Sequence, residues 1–269
     1  MAMSKRHRAD TALITGASSG IGEALAKRFA RGGHRLVLVA RNTVKLDSLA
    51  TMLAAEYGVK VWVQPADLTQ PGAAQVVGAA LKRKRIDIDV LVNNAGILQQ
   101  GAFTTTPATR HQELIDLNVA GLTAMLAQFV APMCKRGHGR VLNVASVAAF
   151  QPVPMMAVYA ATKAYVLSLT ESLAEEVKDR GVTVTALCPG ITATGMLASA
   201  KVANARLAEL PGFLIGDADA VADDGYLACM QGTVIKIPGV VNHAVTLASR
   251  ATPKWLLRRI VGTLARRAV

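Results

Sequence analysis

Short apolar runs recur along the chain at 12–15, 36–40, 59–63, 88–92, 141–145, 182–187 and 233–237, each followed by a longer stretch with helical spacing. Runs of this kind, lacking the polar alternation of a half-exposed strand, suit strands buried on both faces. Seven of them with helix-length connections predict a parallel sheet. A parallel pairing requires a crossover, and the crossover helices must then cover both faces. The expectation is an α/β chain with a single doubly wound, Rossmann-type domain over 10–249, a seven-stranded parallel sheet and helices on both faces. A basic tail over 1–9 precedes it and a basic amphipathic segment over 250–269 follows, with no repeat or linker dividing the body.

Composition raises two questions and answers both. Hydrophobic residues make up 52% and mean hydropathy is +0.33, high enough to ask about a membrane span. The longest charge-free apolar run, 117–134, is interrupted by Asn118, Gly121, Gln128 and Pro132, and reads as a buried or interface helix. The net charge of +12 suggests nucleic acid until it is mapped: residues 1–10 carry Lys5, Arg6 and Arg8 against Asp10, and 250–269 carry six basic residues against no acid. Eight of the twelve positive charges therefore sit in thirty terminal residues, and no nucleic-acid partner is expected. No signal peptide is expected behind the basic start. Cys134, Cys188 and Cys229 form no disulfide or zinc pattern, so a reducing, cytoplasmic setting is expected. His7, His34, His111, His138 and His243 lack ligand spacing, and no metal is expected.

The candidate chemistry lies at the strand ends. The first run leads into Thr15-Gly-Ala-Ser-Ser-Gly-Ile-Gly22 and then an apolar helix, an arrangement that lets backbone N–H groups at the helix start face a phosphate. The spacing Gly16, Gly20, Gly22 is not the common G-x-G-x-x-G. Gly16-Ala17-Ser18-Ser19-Gly20 also fits G-x-S-x-G, a hydrolase nucleophile turn that would need a later histidine such as His243, but it leaves the other motifs unexplained. The second run ends Ala40-Arg41-Asn42, with no carboxylate before Asp47. A planar guanidinium there suits the 2′-phosphate of NADP(H), and NADP(H) is favoured over NAD(H). Asp67-Leu68-Thr69 and Asn93-Asn94-Ala95-Gly96 follow the third and fourth runs. Tyr159 and Lys163 stand one helical turn apart, where an ammonium would favour the phenolate. Alone, that pair fits an ordinary core tyrosine and a solvated helix lysine better, and the motifs upstream overturn that reading.

Together these residues resemble the short-chain dehydrogenase/reductase family. TGASSGIG, Asp67, Asn93-Asn94-Ala95-Gly96, Asn118, Ser146, Tyr159-x-x-x-Lys163 and Pro189-Gly190 with Thr194 occur in the family's order across about residues 9–240. The resemblance implies a nicotinamide-dependent oxidoreductase with Asn118, Ser146, Tyr159 and Lys163 as catalytic residues. It implies a cofactor site formed by Gly16, Ser18, Ser19, Gly20, Ile21, Gly22, Arg41, Asp67, Leu68, Asn94, Ala95, Gly96, Tyr159, Lys163, Pro189, Gly190 and Thr194. In that scheme Ser146 holds the substrate oxygen, Tyr159 exchanges the proton, Lys163 binds the nicotinamide ribose and lowers the tyrosine's pKa, and Asn118 holds a relay water. Homo-oligomers, dimer or tetramer, are also implied. The apolar residues Met155, Met156, Met196, Leu197 and Phe213 suit a hydrophobic ketone, aldehyde or secondary alcohol. A cofactor-binding sensor or scaffold with little turnover is the alternative. At the carboxyl end, Trp255, Leu256, Ile260 and Leu264 near one face with arginines around them fit an anionic membrane surface through 253–267, a partner subunit or the domain itself.

Overall fold

The computed structural model describes residues 9–194, 215–253, 255, 258 and 259. Met196, Leu197, Phe213, Leu256, Ile260 and Leu264, and all of the basic tail but Ala9, lie outside them.

All seven predicted strands form: β1 (Thr11–Thr15), β2 (Arg35–Val39), β3 (Val61–Val63), β4 (Val90–Asn93), β5 (Gly139–Val144), β6 (Val182–Leu187) and β7 (Ile235–Lys236). They make one parallel sheet in the order β3-β2-β1-β4-β5-β6-β7. β7 is shorter than its apolar run because it is an edge strand, held only where Ala186 and Leu187 face Ile235 and Lys236.

Successive side chains on a strand point to opposite faces, which divides the core in two. Ala12, Ile14, Leu36 and Leu38 pack with α1 (Gly20–Arg31), α2 (Thr43–Tyr57) and the helix Ala218–Gln231 on one side. Leu13, Val37, Leu91 and Val141 pack on the other with α3 (Ala73–Arg83) and with the long helical stretch that follows β4. That stretch runs continuously as α4 (Ala108–Ile115), a π-helical turn (Asp116–Gly121) and α5 (Leu122–Arg136). By length and composition Ala108–Arg136 could cross a bilayer. Leu122, Met125, Leu126, Phe129, Val130 and Met133 are buried in the domain core instead, as the interrupted apolar run predicted.

α6 (Ala157–Val177) covers the same face, and α7 (Ala218–Gln231) and α8 (Val240–Ala251) complete the described chain. The sequence reading placed a domain boundary at 249/250, but α8 runs through it to Ala251. It stops where Thr252 turns extended (φ −86°, ψ 131°) before Pro253, as a residue preceding proline must. Chain direction reverses on the sheet between β1 and β4, and the crevice beyond their carboxyl ends is where folds of this kind bind ligands.

Candidate active site

At that crevice lies a cavity of about 590 Å³. Of the predicted site residues all but Gly22 and Asn118 line it: Gly16, Ser18, Ser19, Gly20, Ile21, Arg41, Asp67, Leu68, Asn94, Ala95, Gly96, Ser146, Tyr159, Lys163, Pro189, Gly190 and Thr194.

One end is the glycine turn. Gly16 and Gly20 have φ of 65° and 58°, which side-chain-bearing residues rarely adopt. A Cβ on Gly22 would stand 2.2 Å from the Gly16 carbonyl oxygen, so this glycine lets α1 approach the turn from behind the cavity wall. Ser19, the residue before α1, gives no side-chain cap, leaving the first-turn N–H groups to serve an anion. A hub with no local sequence signal holds this turn. Thr15 Oγ1 accepts from the N–H groups of Asn94 (2.9 Å) and Ala95 (3.0 Å), while Asn94 Nδ2 donates to the carbonyls of Thr15 (2.9 Å) and Gly16 (3.3 Å). Asn94 thus braces the glycine-turn end of the cavity.

Arg41 and Asp67 face the cavity at the tips of β2 and β3. Burial works to raise the Asp67 carboxyl, but hydrogen bonds from the Thr69 N–H and hydroxyl and from Gln70, with Arg41 nearby, outweigh it and hold the group below its ordinary value. Asn42, next to Arg41, accepts from the Lys45 N–H at 3.0 Å and so starts α2.

The other end collects the proton-carrying groups. α6 sets Lys163, 6% exposed, a turn beyond Tyr159, with Lys163 Nζ 5.8 Å from the phenol ring centroid. Nζ donates to the Val144 carbonyl at 2.8 Å. Burial pulls this amine down to about 8. Burial also pushes Tyr159 above its ordinary value, against a hydrogen bond with Ser146. The expected depression of the phenol by Lys163 is therefore not what the site's electrostatics give, because the amine is itself desolvated and directs its hydrogen bond to backbone. Ser146 Oγ accepts from the Ala148 N–H at 3.1 Å, which holds it at the start of a 3₁₀ turn (Val147–Phe150).

Asn118, 1% exposed, sits in the π-helical turn behind the cavity wall, and such turns often mark functional positions. Its Oδ1 accepts from the Ile97 N–H (2.9 Å), and its Nδ2 donates to the Ile97 carbonyl (3.0 Å) and to Thr162 Oγ1 (3.2 Å). Both amide hydrogens are used, so the side chain's remaining hydrogen-bonding capacity is the second lone pair of Oδ1. A Cβ on Gly96 would meet this oxygen at 3.1 Å and Lys163 Nζ at 3.6 Å, so the two groups converge on that glycine.

The last wall is 189–194. Thr194 packs its methyl against Gly20, where a Cβ would lie 3.1 Å from it, closing the two ends of the cavity onto each other. Gly190 is braced by Asn242 of α8, whose Oδ1 would lie 2.4 Å from a Cβ at 190, another contact the sequence did not reveal. The rest of the lining is largely apolar, with Ile97, Leu98, Leu117, Val153, Met156 and Ile191, and carries the amides Gln100 and Gln151. Of the methionines expected there, Met156 lines the cavity. Met155, at φ 67°, turns away to a smaller hollow beside Phe103 and His111.

The hydrolase alternative loses its histidine: α8 directs Asn242 to the Gly190 wall and leaves His243 exposed. His138, which lacks ligand spacing in sequence, gains acidic neighbours in the fold. The fold brings Asp10 and Asp89 beside it, their ligand atoms within 4.8 Å, at the opposite edge of the sheet. Arg140 Nη1 lies 3.7 Å from Asp10, and Asp89 accepts from the Thr11 N–H at 2.8 Å, so both acids are already engaged.

Comparison with known proteins agrees with this geometry. The short chain dehydrogenase family model matches residues 10–205. A short-chain dehydrogenase from Sphingobium yanoikuyae in complex with NADPH is 36% identical, with a TM-score of 0.79 over 91% of this chain and 96% of that one. A bulky-bulky ketone specific alcohol dehydrogenase from Comamonas testosteroni is 34% identical, with a TM-score of 0.75 over 91% and 95%. A 7beta-hydroxysteroid dehydrogenase from Collinsella aerofaciens is 34% identical over 70% of each chain. With a parallel sheet, an uncapped glycine turn and a Ser-Tyr-Lys cluster on one cavity, the chain belongs to the short-chain dehydrogenases, a family of oxidoreductases.

Proposed function

We propose that this protein is an NADP(H)-dependent carbonyl reductase, or alcohol dehydrogenase in the reverse direction, acting on a bulky and largely apolar ketone, aldehyde or secondary alcohol. The observation that carries this reading is the single cavity shared by the anion-receptive start of α1, the Ser146, Tyr159 and Lys163 side chains, and an apolar wall. The fit of a nicotinamide dinucleotide rests on the glycine turn, where side chains at 16 or 22 would strike backbone, and on the N–H groups left uncapped there. Arg41 on the adenosine side, without an acid beside it in sequence, supports NADP(H).

When bound, that cofactor supplies the hydride chemistry. Ser146 Oγ orients the substrate oxygen beside Tyr159, and the phenol hydroxyl gives its proton to that oxygen in reduction. A phenol raised above its ordinary value is fully protonated at neutral pH, which suits the donor role. Lys163, titrating near 8, replaces that proton, and Asn118 holds Ile97 in place behind it through the Ile97 N–H and carbonyl. The apolar wall excludes water, and Gln100 and Gln151 give it two points of polar discrimination. Cys134, Cys188 and Cys229 are free thiols, and burial pushes Cys188 and Cys229 up to about 12, which makes both poor nucleophiles.

The test is consumption of NADPH and NADH with a panel of ketones graded in bulk. Turnover is expected with bulky apolar ketones and NADPH, and Arg41→Asp should weaken NADPH binding about tenfold or more while changing NADH binding little. Equal losses would remove the 2′-phosphate argument. Tight cofactor binding with no turnover on any carbonyl would favour the sensor reading.

A further inference from the structure

Two side-chain amides stand apart in the cavity lining, because the polar groups around them are already bonded. Asn94 Nδ2 braces the glycine turn, and Ser146 Oγ accepts from the Ala148 N–H. Thr192 Oγ1 donates to the Gly190 carbonyl (3.1 Å) and Thr194 Oγ1 to the Thr192 carbonyl (3.4 Å). Gln100 Oε1, by contrast, is buried with no hydrogen-bond partner, and among the described residues no hydrogen bond holds the Gln151 amide. An amide oxygen buried without a donor is costly and uncommon in a folded protein. The last torsion of a glutamine side chain is broad and roughly two-fold, so rotation about it can turn this oxygen into the cavity that Gln100 lines.

The fold ties together the two segments that carry these amides. Gln100 lies four residues past Gly96, and Gln151 closes the Val147–Phe150 turn that Ser146 opens. Gly101 N–H donates to the Met155 carbonyl at 2.8 Å, and Met156 N–H to the Val153 carbonyl at 3.1 Å. Met155 is held at φ 67°, an angle that a residue with a side chain disfavours and that persists only where the surroundings impose it. A rise of about 2 Å per residue through a 3₁₀ turn sets Gln151 roughly 10 Å along the chain from Ser146. The amides therefore serve a part of the ligand several bonds away from the oxygen that Ser146 and Tyr159 would hold.

Charge and hydrogen-bonding capacity select that part. Among the described lining residues the charged groups are Arg41 and Asp67, at the tips of β2 and β3, and Lys163, beside Tyr159. A carboxylate or ammonium on the body of the substrate would be buried at the amides without a counter-charge. The unpaired oxygen needs a donor, which an ether or a second ketone lacks. A hydroxyl donates to it and also accepts from an amide N–H. We propose that Gln100 and Gln151 anchor a neutral hydroxyl on the apolar body of the substrate, remote from the carbon that exchanges hydride. The proposal rests on the reductase reading and narrows it, from a bulky apolar ketone to one hydroxylated at its far end.

The test uses fused-ring ketones of equal bulk that carry a hydroxyl, a methyl or a carboxylate at the end farthest from the carbonyl, with NADPH as reductant. Wild-type kcat/KM is expected to be about tenfold or more higher for the hydroxyl than for the methyl compound, and lower for the carboxylate than for the hydroxyl. In Gln100→Leu and in Gln151→Leu the hydroxyl-to-methyl ratio should shrink about threefold or more, through KM rather than kcat, since the anchor binds ground state and transition state alike. NADPH affinity by fluorescence and the melting temperature report that each variant is folded. Equal kcat/KM for the hydroxyl and methyl compounds, an unchanged ratio in either variant, or a preference for the carboxylate overturns the anchor and leaves the reductase reading in place. The melting temperature of the NADPH complex is also measured with each compound. A larger rise with the hydroxyl compound, in a protein that reduces none of the three, would sink the reductase reading and support the anchor. Neither turnover nor a difference in melting would overturn both.

Discussion

The two edges of the sheet handle buried and half-buried charge in opposite ways. At the amino-terminal edge the acids and bases lie close together: Asp10 is 3.6 Å from His138 and 3.7 Å from Arg140, while Asp89 takes the Thr11 N–H at 2.8 Å and Arg136 donates to the Ile88 carbonyl at 2.6 Å. At the carboxyl-terminal edge Lys163 is more deeply buried than any of these and has only a backbone carbonyl for its amine, with no carboxylate within ion-pair distance among the described residues. The shift from 10.5 to about 8 corresponds to a penalty on the order of 3 kcal/mol for keeping the ammonium in the folded protein at neutral pH. One edge has charges arranged for stability. The other holds the amine to which the proposed function gives a proton-transfer role, and perturbed titration is expected to cluster at such sites.

The comparison can be sharpened by substitution, beginning with the largest effect. Tyr159→Phe should lower kcat about a thousandfold, the range of a lost general acid, while NADPH affinity by fluorescence titration stays within about threefold. Retained turnover would move the proton donor elsewhere. Lys163→Met should also lower kcat strongly, yet raise stability by about 1–3 kcal/mol in urea unfolding, because it removes an unpaired buried ammonium. A less stable variant would reverse the contrast between the edges. Its pH signature has a definite sign. The unfolded chain keeps the lysine proton up to 10.5 and the native state releases it near 8, so wild-type stability falls as pH drops from 10.5 to about 8 and this contribution is flat below. The stability gap between Lys163→Met and wild type should therefore widen over that window as pH falls. At the opposite edge, Asp89→Asn should cost about 1 kcal/mol by weakening a charge-assisted bond to Thr11, with kcat unchanged within about twofold. A large loss of activity there would mean the two edges are not independent.

What could be read in advance divides along the same line. Seven strands in parallel follow from local periodicity, because a strand buried on both faces, as β1, β2, β4, β5 and β6 largely are, must be mostly apolar, and a parallel neighbour must be reached through a crossover. Gly16 and Gly20 are legible because few other residues tolerate their backbone angles, and Tyr159 with Lys163 because four residues on a helix is one turn. The opposite orientation of α8 was not legible. Val240, Val241, Val245 and Leu247 look like core in sequence, and only packing of Asn242 on Gly190 fixes them outward.

The sequence by itself determined which elements exist and which reactive side chains stand at strand ends, since both are written in spacings of a few residues. Tertiary structure alone decided that Asn118 and Lys163 meet at Gly96, that Thr15 holds the glycine turn, and that Asp10 and Asp89 join His138. It also decided that burial, rather than the neighbouring amine, governs the phenol of Tyr159. These outcomes depend on contacts between distant segments and on how much water the packed chain excludes, and neither quantity has a local period to read.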